Sequence, residues 1–131
     1  MKRVEKVHSV EHDINWFNKL KSQVQENCKI TFQVDSINGE FAKEILKSDI
    51  KYDLVLVDAN DRYHCSLYAT QALSSRGVIV LDNAERVEYN PIYEMLINKG
   101  FKFIEFEGLS PSTHSTNITT IFYKNENCLG I

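Results

Sequence analysis

Four acidic residues stand where a sheet enzyme would keep them. Glu11, Asp35, Asp58 and Asp82 each follow a short apolar, strand-like run. In an open α/β sheet, ligands bind outside the carboxyl ends of the strands, near the point where strand order reverses. Carboxylates there can accept hydrogen bonds from hydroxyls or amino groups, or share a cation. Left buried without such partners they cost free energy. The pattern therefore predicts one rim carrying hydroxyls, amides, a cation or water. Each acid taken singly could also do no more than cap the next helix, a role that suits Asp13 and Asn83 as well.

The elements that must place these acids alternate along the chain. Val7 to Val10 reads as a short strand ending in Glu11. Asp13 can cap a helix with apolar positions Ile14, Phe17, Leu20 and Val24. Ile30 to Val34 is a β-branched and aromatic strand ending in Asp35. Ile37, Phe41, Ile45 and Leu46 mark a helix face. Tyr52 to Val57 is almost wholly apolar, as a central parallel strand buried on both faces must be. Leu67, Tyr68, Ala72 and Leu73 suggest a helix, and Gly77 to Leu81 another strand. Asn90 and Pro91 open a helix through Ile92, Met95 and Leu96 that Gly100 closes. Phe101 to about Phe106 and Thr119 to Tyr123 are the last strands, with no helix pattern between them.

Strand–helix alternation predicts right-handed crossovers and a doubly wound, mostly parallel sheet. The last connection is short for a crossover, so the final strand is expected to run antiparallel. Residues 1–131 read as one α/β domain.

Bulk properties exclude several classes. A net charge of -3 argues against a nucleic-acid clamp, and no apolar run reaches the length of a membrane span. The basic start has no apolar stretch behind it, so no secretory signal is read and a cytoplasmic location is the default. Cys28, Cys65 and Cys128 form neither a disulfide framework nor a zinc pattern and are expected to be reduced thiols. His64 and His114 fall in expected loops, as bystanders rather than bases. Trp16 is expected to pack its helix on the sheet. Ser110 to Thr116 is a polar surface loop able to cover a substrate.

Val7-His8-Ser9-Val10-Glu11-His12-Asp13 resembles the second strand of class I S-adenosylmethionine-dependent methyltransferases. Val34-Asp35-Ser36 resembles the end of that family's third strand, Tyr52 to Ala59 the fourth, and Gly77 to Asn83 the fifth. The closing antiparallel strand is a feature of the same fold. The resemblance implies a Rossmann-like sheet and a methyltransferase using S-adenosylmethionine on a small-molecule acceptor. It assigns Glu11, with His12, to the ribose hydroxyls and Asp35, with Ser36, to the adenine. Asp58 then lies against the cofactor, and Asp58 and Asp82 line the reaction centre.

Metal-dependent O-methyltransferases place two aspartates and an asparagine where Asp58, Asp82 and Asn83 stand, which makes Mg²⁺ an alternative here. That family also has a lysine shortly after the first aspartate, whereas this chain has Asn60, Asp61 and Arg62. Capping and substrate contact are the preferred reading for Asp58 and Asp82, with no metal.

The family's first strand and Gly-x-Gly loop come before the acid matched by Glu11. Only ten residues precede Glu11, and the five glycines begin at Gly39. The expectation is a truncated domain lacking its first strand, with direct pairing of the flanking strands as the alternative way to close the sheet. Two other functions stay open. One is a receiver-like module phosphorylated on Asp58, which Asp53 to Asp58 resembles. The other is a non-catalytic methyltransferase-fold remnant.

Overall fold

The computed structural model describes residues 4–35, 39–110 and 115–131. Ser36, Ile37 and His114 lie outside the described residues. The chain runs β1 (Val7–Glu11), α1 (Ile14–Lys21), β2 (Cys28–Phe32), α2 (Glu40–Lys43), β3 (Tyr52–Val57), α3 (Arg62–Ala72), β4 (Leu73–Leu81), α4 (Asn90–Asn98), β5 (Lys102–Leu109) and β6 (Thr116–Tyr123). A 3₁₀ turn at Glu44–Lys47 extends α2, and another at Val87–Tyr89 precedes α4.

Local chemistry explains the helix ends. Asp13 caps α1 by accepting from the amides of Asn15 and Trp16 at 2.8 and 2.9 Å. Asp61 does the same for α3 through the His64 amide at 3.1 Å. This cap starts α3 at Arg62, five residues before the apolar pattern at Leu67, and so puts His64 in a first helical turn rather than a loop. Pro91 sits in the first turn of α4. Gly100, at φ 83°, ends that helix by donating to the Ile97 carbonyl at 2.8 Å.

The strands form two separate sheets. β1 and β2 pair in parallel, Val7 opposite Cys28 and Glu11 opposite Phe32. The second sheet has the order β3-β4-β6-β5. β3 and β4 are parallel, and β6 is antiparallel to both β4 and β5, as the short last connection implies. β1 and β3 do not pair, so direct closure of the sheet is not what the chain does.

Side chains join the two sheets instead. The Tyr52 hydroxyl at the start of β3 lies 2.9 Å from His8 Nδ1 near the start of β1. Beyond the far end of β3, Asn60 donates to Asp35 at 3.0 Å and lies 3.4 Å from His12 Nε2. Starts meet starts and ends meet ends, so β1, β2, β3 and β4 all point the same way.

One face of the larger sheet holds the core. Val57, Ile79, Leu81 and Phe122 project there, where Ala69 of α3 and Ile92 and Leu96 of α4 cover them. The opposite face is bare over much of its extent, with Leu54 49% exposed, Leu56 62%, Ile104 41% and Phe106 52%, although Val78, opposite Leu54, is fully buried. The expectation that Tyr52 to Val57 is buried on both faces is thus corrected. An apolar run shows that burial is possible, but only packed neighbours supply it, and α3 and α4 both lie on one side.

The smaller sheet departs in two further ways. β2 ends at Phe32, leaving Asp35 three residues beyond the strand. α1 touches β2 through Phe17 and Phe32, with ring centres 5.5 Å apart, and buries no residue fully. Trp16 is exposed, with the Lys19 ammonium 4.6 Å from its ring centre, and does not pack the helix down as expected. A two-stranded ribbon is too narrow to cover a helix face.

The three cysteines are free, and burial pushes the Cys65 thiol up to about 12, which leaves it unreactive. Among the described residues, no helix is long and apolar enough to cross a membrane.

Gly77 sets how closely β4 approaches β3. A Cβ there would lie 2.8 Å from the Tyr52 carbonyl oxygen and 2.7 Å from a Leu73 methyl. Gly77→Ala is expected to destabilise the chain by about 1–3 kcal/mol, the usual cost of overpacking. Thermal unfolding measures it, and an unchanged midpoint would show that β3 and β4 are not held this tightly.

Candidate functional site

The described acids among the four stand on one rim. Glu11 ends β1, Asp35 follows β2, Asp58 follows β3 and Asp82 follows β4. Each is partnered differently.

Glu11 is held by backbone. Its Oε1 accepts from the amides of His12 and Asp13, both at 2.8 Å. His12 Nδ1 lies 3.6 Å from the same oxygen. No described residue hydrogen-bonds to Oε2, so one oxygen fixes the carboxylate and the other remains to accept from a ligand. Asp35 is tied to the rim by Asn60, which also approaches His12. Asn60 therefore draws together the two motifs that the resemblance assigns to the cofactor: Asp35 of one, and His12, next to Glu11, of the other.

The other half of the rim is organised by Arg62, in the first turn of α3. Its side chain is buried and makes five hydrogen bonds. Nη2 donates to Asp58 Oδ1 at 2.7 Å and to Asn83 Oδ1 at 3.1 Å. Nη1 donates to the Ala59 carbonyl and to the Tyr89 hydroxyl. Nε donates to the Asp82 carbonyl at 3.1 Å. A planar guanidinium presents five N–H donors in a fixed fork, enough for all five acceptors, where an ammonium has only three. Asn83 turns toward it at φ 53°, a left-handed backbone tolerated by asparagine.

The electrostatics follow. Partial burial raises the Asp58 carboxyl above its ordinary value, the Asp82 carboxylate adds to this, and Arg62 opposes both. The Asp58 side chain is nevertheless 58% exposed, so solvent screens the pair and it contributes little stability. At the opposite end of the strands, His8 is lowered, mainly by burial, with Lys29 adding and Glu44 opposing. A neutral His8 suits its place between the Tyr52 hydroxyl and the Thr31 hydroxyl, at 2.9 and 3.0 Å.

The donor set is not arranged for Mg²⁺. A metal at Asp58, Asp82 and Asn83 would have to compete with the Arg62 guanidinium for Asp58 Oδ1 and the Asn83 amide oxygen. Among the described residues, no group of three or more His, Cys, Asp or Glu could hold a metal ion. Arg62 supplies the positive charge at this place. The receiver-like reading loses ground on the same geometry: Asp58 is engaged by Arg62, and β6 inserts antiparallel between β4 and β5.

Sequence reasoning found the acids but missed the groups that hold them. Arg62 entered only as a mismatch, although an arginine four residues after a strand-end aspartate was a usable signal. Nothing in the sequence marked Asn60, His8 or Tyr52, because their partners lie 23 to 48 residues away.

No protein-family model matches the sequence, and no curated protein is similar to it. Solved structures do match. A precorrin-6y C5,15-methyltransferase from Geobacter metallireducens superposes with a TM-score of 0.69 at 16% identity, over 91% of this chain and 67% of its own. The O-methyltransferase TomG from Streptomyces achromogenes, solved with S-adenosylmethionine, gives 0.68 at 14%, over 91% and 62%. The tRNA methyltransferase TrmI from Aquifex aeolicus gives 0.58 at 11%, over 91% and 53%.

The chain therefore has the Rossmann-like fold of the class I S-adenosylmethionine-dependent methyltransferases. It spans roughly half to two-thirds of the length of these three structures.

Two measurements test the site. Arg62→Met is expected to cost about 3 kcal/mol or more, since it strands several buried acceptors at once. Asp58→Asn should cost under about 1 kcal/mol, as for an exposed pair. Equal losses by denaturant titration would remove Arg62 from the centre of the network.

His8 gives a pH dependence. Its folded pKa lies below its unfolded value of 6.5, so folding favours the neutral ring. The stability it contributes is present above that value and is lost as pH falls through the lowered one. An imidazole titration by NMR is expected to place the His8 midpoint below 6.5. A midpoint at or above it would exclude the bridge between the sheets.

Proposed function

We propose that this rim is the nucleoside-binding edge of an S-adenosylmethionine-dependent methyltransferase acting on a small-molecule acceptor. The observation that carries this reading is the Glu11 carboxylate. It is anchored through Oε1 by two backbone amides, and Oε2 is left to accept from a ribose diol. A carboxylate fixed in this way accepts hydrogen bonds without first losing rotamer freedom. Asp35, with Ser36 beside it in sequence, is assigned to the adenine amino group. His12 flanks the ribose, and Asn60 sets its position relative to Asp35.

When bound, S-adenosylmethionine supplies an electrophilic methyl group on a sulfonium. The chain's own part in the transfer is alignment, which suits a reaction needing little acid–base help. Asp58, more than half exposed and raised in pKa, is placed to meet the positive part of the cofactor or a hydroxyl of the acceptor. Asp82 lies beside it. Arg62 holds Asp58 in position without contacting the reacting atoms.

The small-molecule acceptor is favoured by the net charge of -3, which gives no overall excess of cationic side chains for phosphates. The precorrin and TomG neighbours are in keeping with this, whereas TrmI shows that the fold also serves a tRNA methyltransferase. The cytoplasm is the proposed location.

Calorimetric titration with S-adenosylhomocysteine tests the reading. Glu11→Ala is expected to weaken binding by about 1–3 kcal/mol, the scale of lost charge-assisted hydrogen bonds. No heat from the folded wild-type chain at millimolar ligand would rule out cofactor binding by these 131 residues alone. An unchanged affinity in the variant would remove Glu11 from the site.

A further inference from the structure

The larger sheet ends at β5, which pairs with β6 alone. Every residue of β5 is exposed, and its ladder with β6 runs from Lys102 to Leu109 without a register shift. An edge strand presents a row of unpaired amides and carbonyls, which proteins blunt with proline, a bulge or a charge in the middle of the strand. β5 has no proline and no bulge, and its one lysine, Lys102, stands at the very start. Phe103, Ile104 and Phe106 are between 41% and 52% exposed. Glu105 and Glu107 are the remaining charges, and they limit which pairings this edge allows.

Charge is unevenly distributed along the edge. Lys102 opens the strand, and just past the end of β6 the Lys124 ammonium lies 4.8 Å from the ring centre of Phe101, the residue before Lys102. Toward the other end stands Glu107. Opposite it is Ile118, whose amide donates to Glu85 at 2.8 Å. One end is therefore basic and the other acidic. Two copies related by a two-fold axis at this edge run antiparallel, so each basic end meets an acidic one. A parallel neighbour would bring like charges together.

We propose that β5 pairs with β5 of a second copy of this chain, joining two four-stranded sheets into one continuous sheet of eight strands. Side-chain direction and charge fix the register. Tyr93 of α4 packs on Phe103, with ring centres 5.2 Å apart, and donates to Glu105 at 2.9 Å. Phe103 and Glu105 thus lie on the helix side of the sheet, and Ile104 and Phe106 on the other. A two-fold axis normal to the sheet keeps these sides matched only if one residue faces its own copy.

Glu105 in that place would set carboxylate against carboxylate. Phe106 there would set Glu105 against Glu107 twice. Phe103 there would leave most of β5 unpaired. Ile104 on the axis avoids all three. It opposes Ile104 to Ile104, Lys102 to Phe106 and Phe103 to Glu105, each an apolar or mixed pair free of like charges. Phe101 then faces Glu107 of the second copy, which brings Lys124 beside that carboxylate. The inference stands on the geometry of this edge and does not require methyl transfer.

The test uses the full 131-residue chain without cofactor. One strand edge is a small contact, so half of the chains are expected to pair only at about 0.1–1 mM. Sedimentation equilibrium reads the association. Hydrogen exchange is expected to slow roughly threefold or more at alternate residues of β5 between dilute and concentrated samples, with β1, β2 and β3 unchanged.

Ile104→Lys, at an exposed position, sets two ammonium groups face to face and should weaken the dimer roughly tenfold or more with the thermal midpoint retained. A charge exchange gives a second, independent check. A chain carrying Lys102→Glu and Lys124→Glu has an edge acidic at both ends, and a Glu107→Lys chain has one basic at both ends. Each should associate with itself several-fold more weakly than the native chain, and an equal mixture of the two should form a heterodimer at least as readily as the native chain pairs. Three outcomes would overturn the proposal: a native chain that stays monomeric at about 1 mM, a dimer whose protection falls on β1, β2 or β3 instead of β5, or a mixture that associates no better than its separate components.

Discussion

Acids placed side by side at the ends of parallel strands repel one another, and the rest of this rim is arranged around that constraint. The chain answers it in two ways. At β1 the charge on Glu11 is met by the backbone amides of the two residues that follow the strand. At β3 and β4 it is met by the buried guanidinium of Arg62. The arginine is positioned by α3, and α3 by its Asp61 cap, so the charge balance of the rim depends on where one helix begins. Because that cation comes from the chain, the rim needs no metal to hold Asp58 and Asn83 together.

The same arrangement separates rigidity from access. Arg62 is buried and fully engaged, whereas Asp58, its partner, keeps most of its side-chain surface open. Glu11 likewise commits one oxygen and leaves the other. Groups that must be fixed take their partners from backbone or from the buried arginine, and the faces left over are available to a ligand. This division suits a transfer reaction that depends on alignment.

The sheet carries a second constraint of a different kind. Parallel strands have to be covered on both faces and paired on both edges, and β3 achieves this on only one face and one edge. The core under α3 and α4 is closed, with Ile79, Leu81, Ile92, Leu96 and Phe122 fully buried. The ribbon of β1 and β2 is joined to the rest mainly by polar side chains, His8, Tyr52, His12, Asn60 and Asp35, with one ring contact between His12 and Phe41. Hydrogen bonds across such a join bury little apolar surface and add little net stability. The join is therefore the weaker part of the molecule, and the nucleoside edge proposed here straddles it.

Much of this was legible in the sequence, because strand and helix periods, caps and strand-end acids are local. Asp13 and Asp61 are sequence-adjacent to the helices they start, Gly100 to the helix it ends, and the few residues between β5 and β6 are too short for a crossover, so the return is antiparallel. The residues proposed for the nucleoside were found for the same reason: each follows its own strand. Tertiary structure alone decided what those acids touch. Arg62 reaches Asn83 and Tyr89 across 21 and 27 residues, and Asn60 reaches Asp35 across 25. It also decided that an apolar strand, Tyr52 to Val57, is covered on one side only. Hydrophobicity records what a strand can bury, whereas burial itself depends on which neighbours arrive, and no local pattern encodes them.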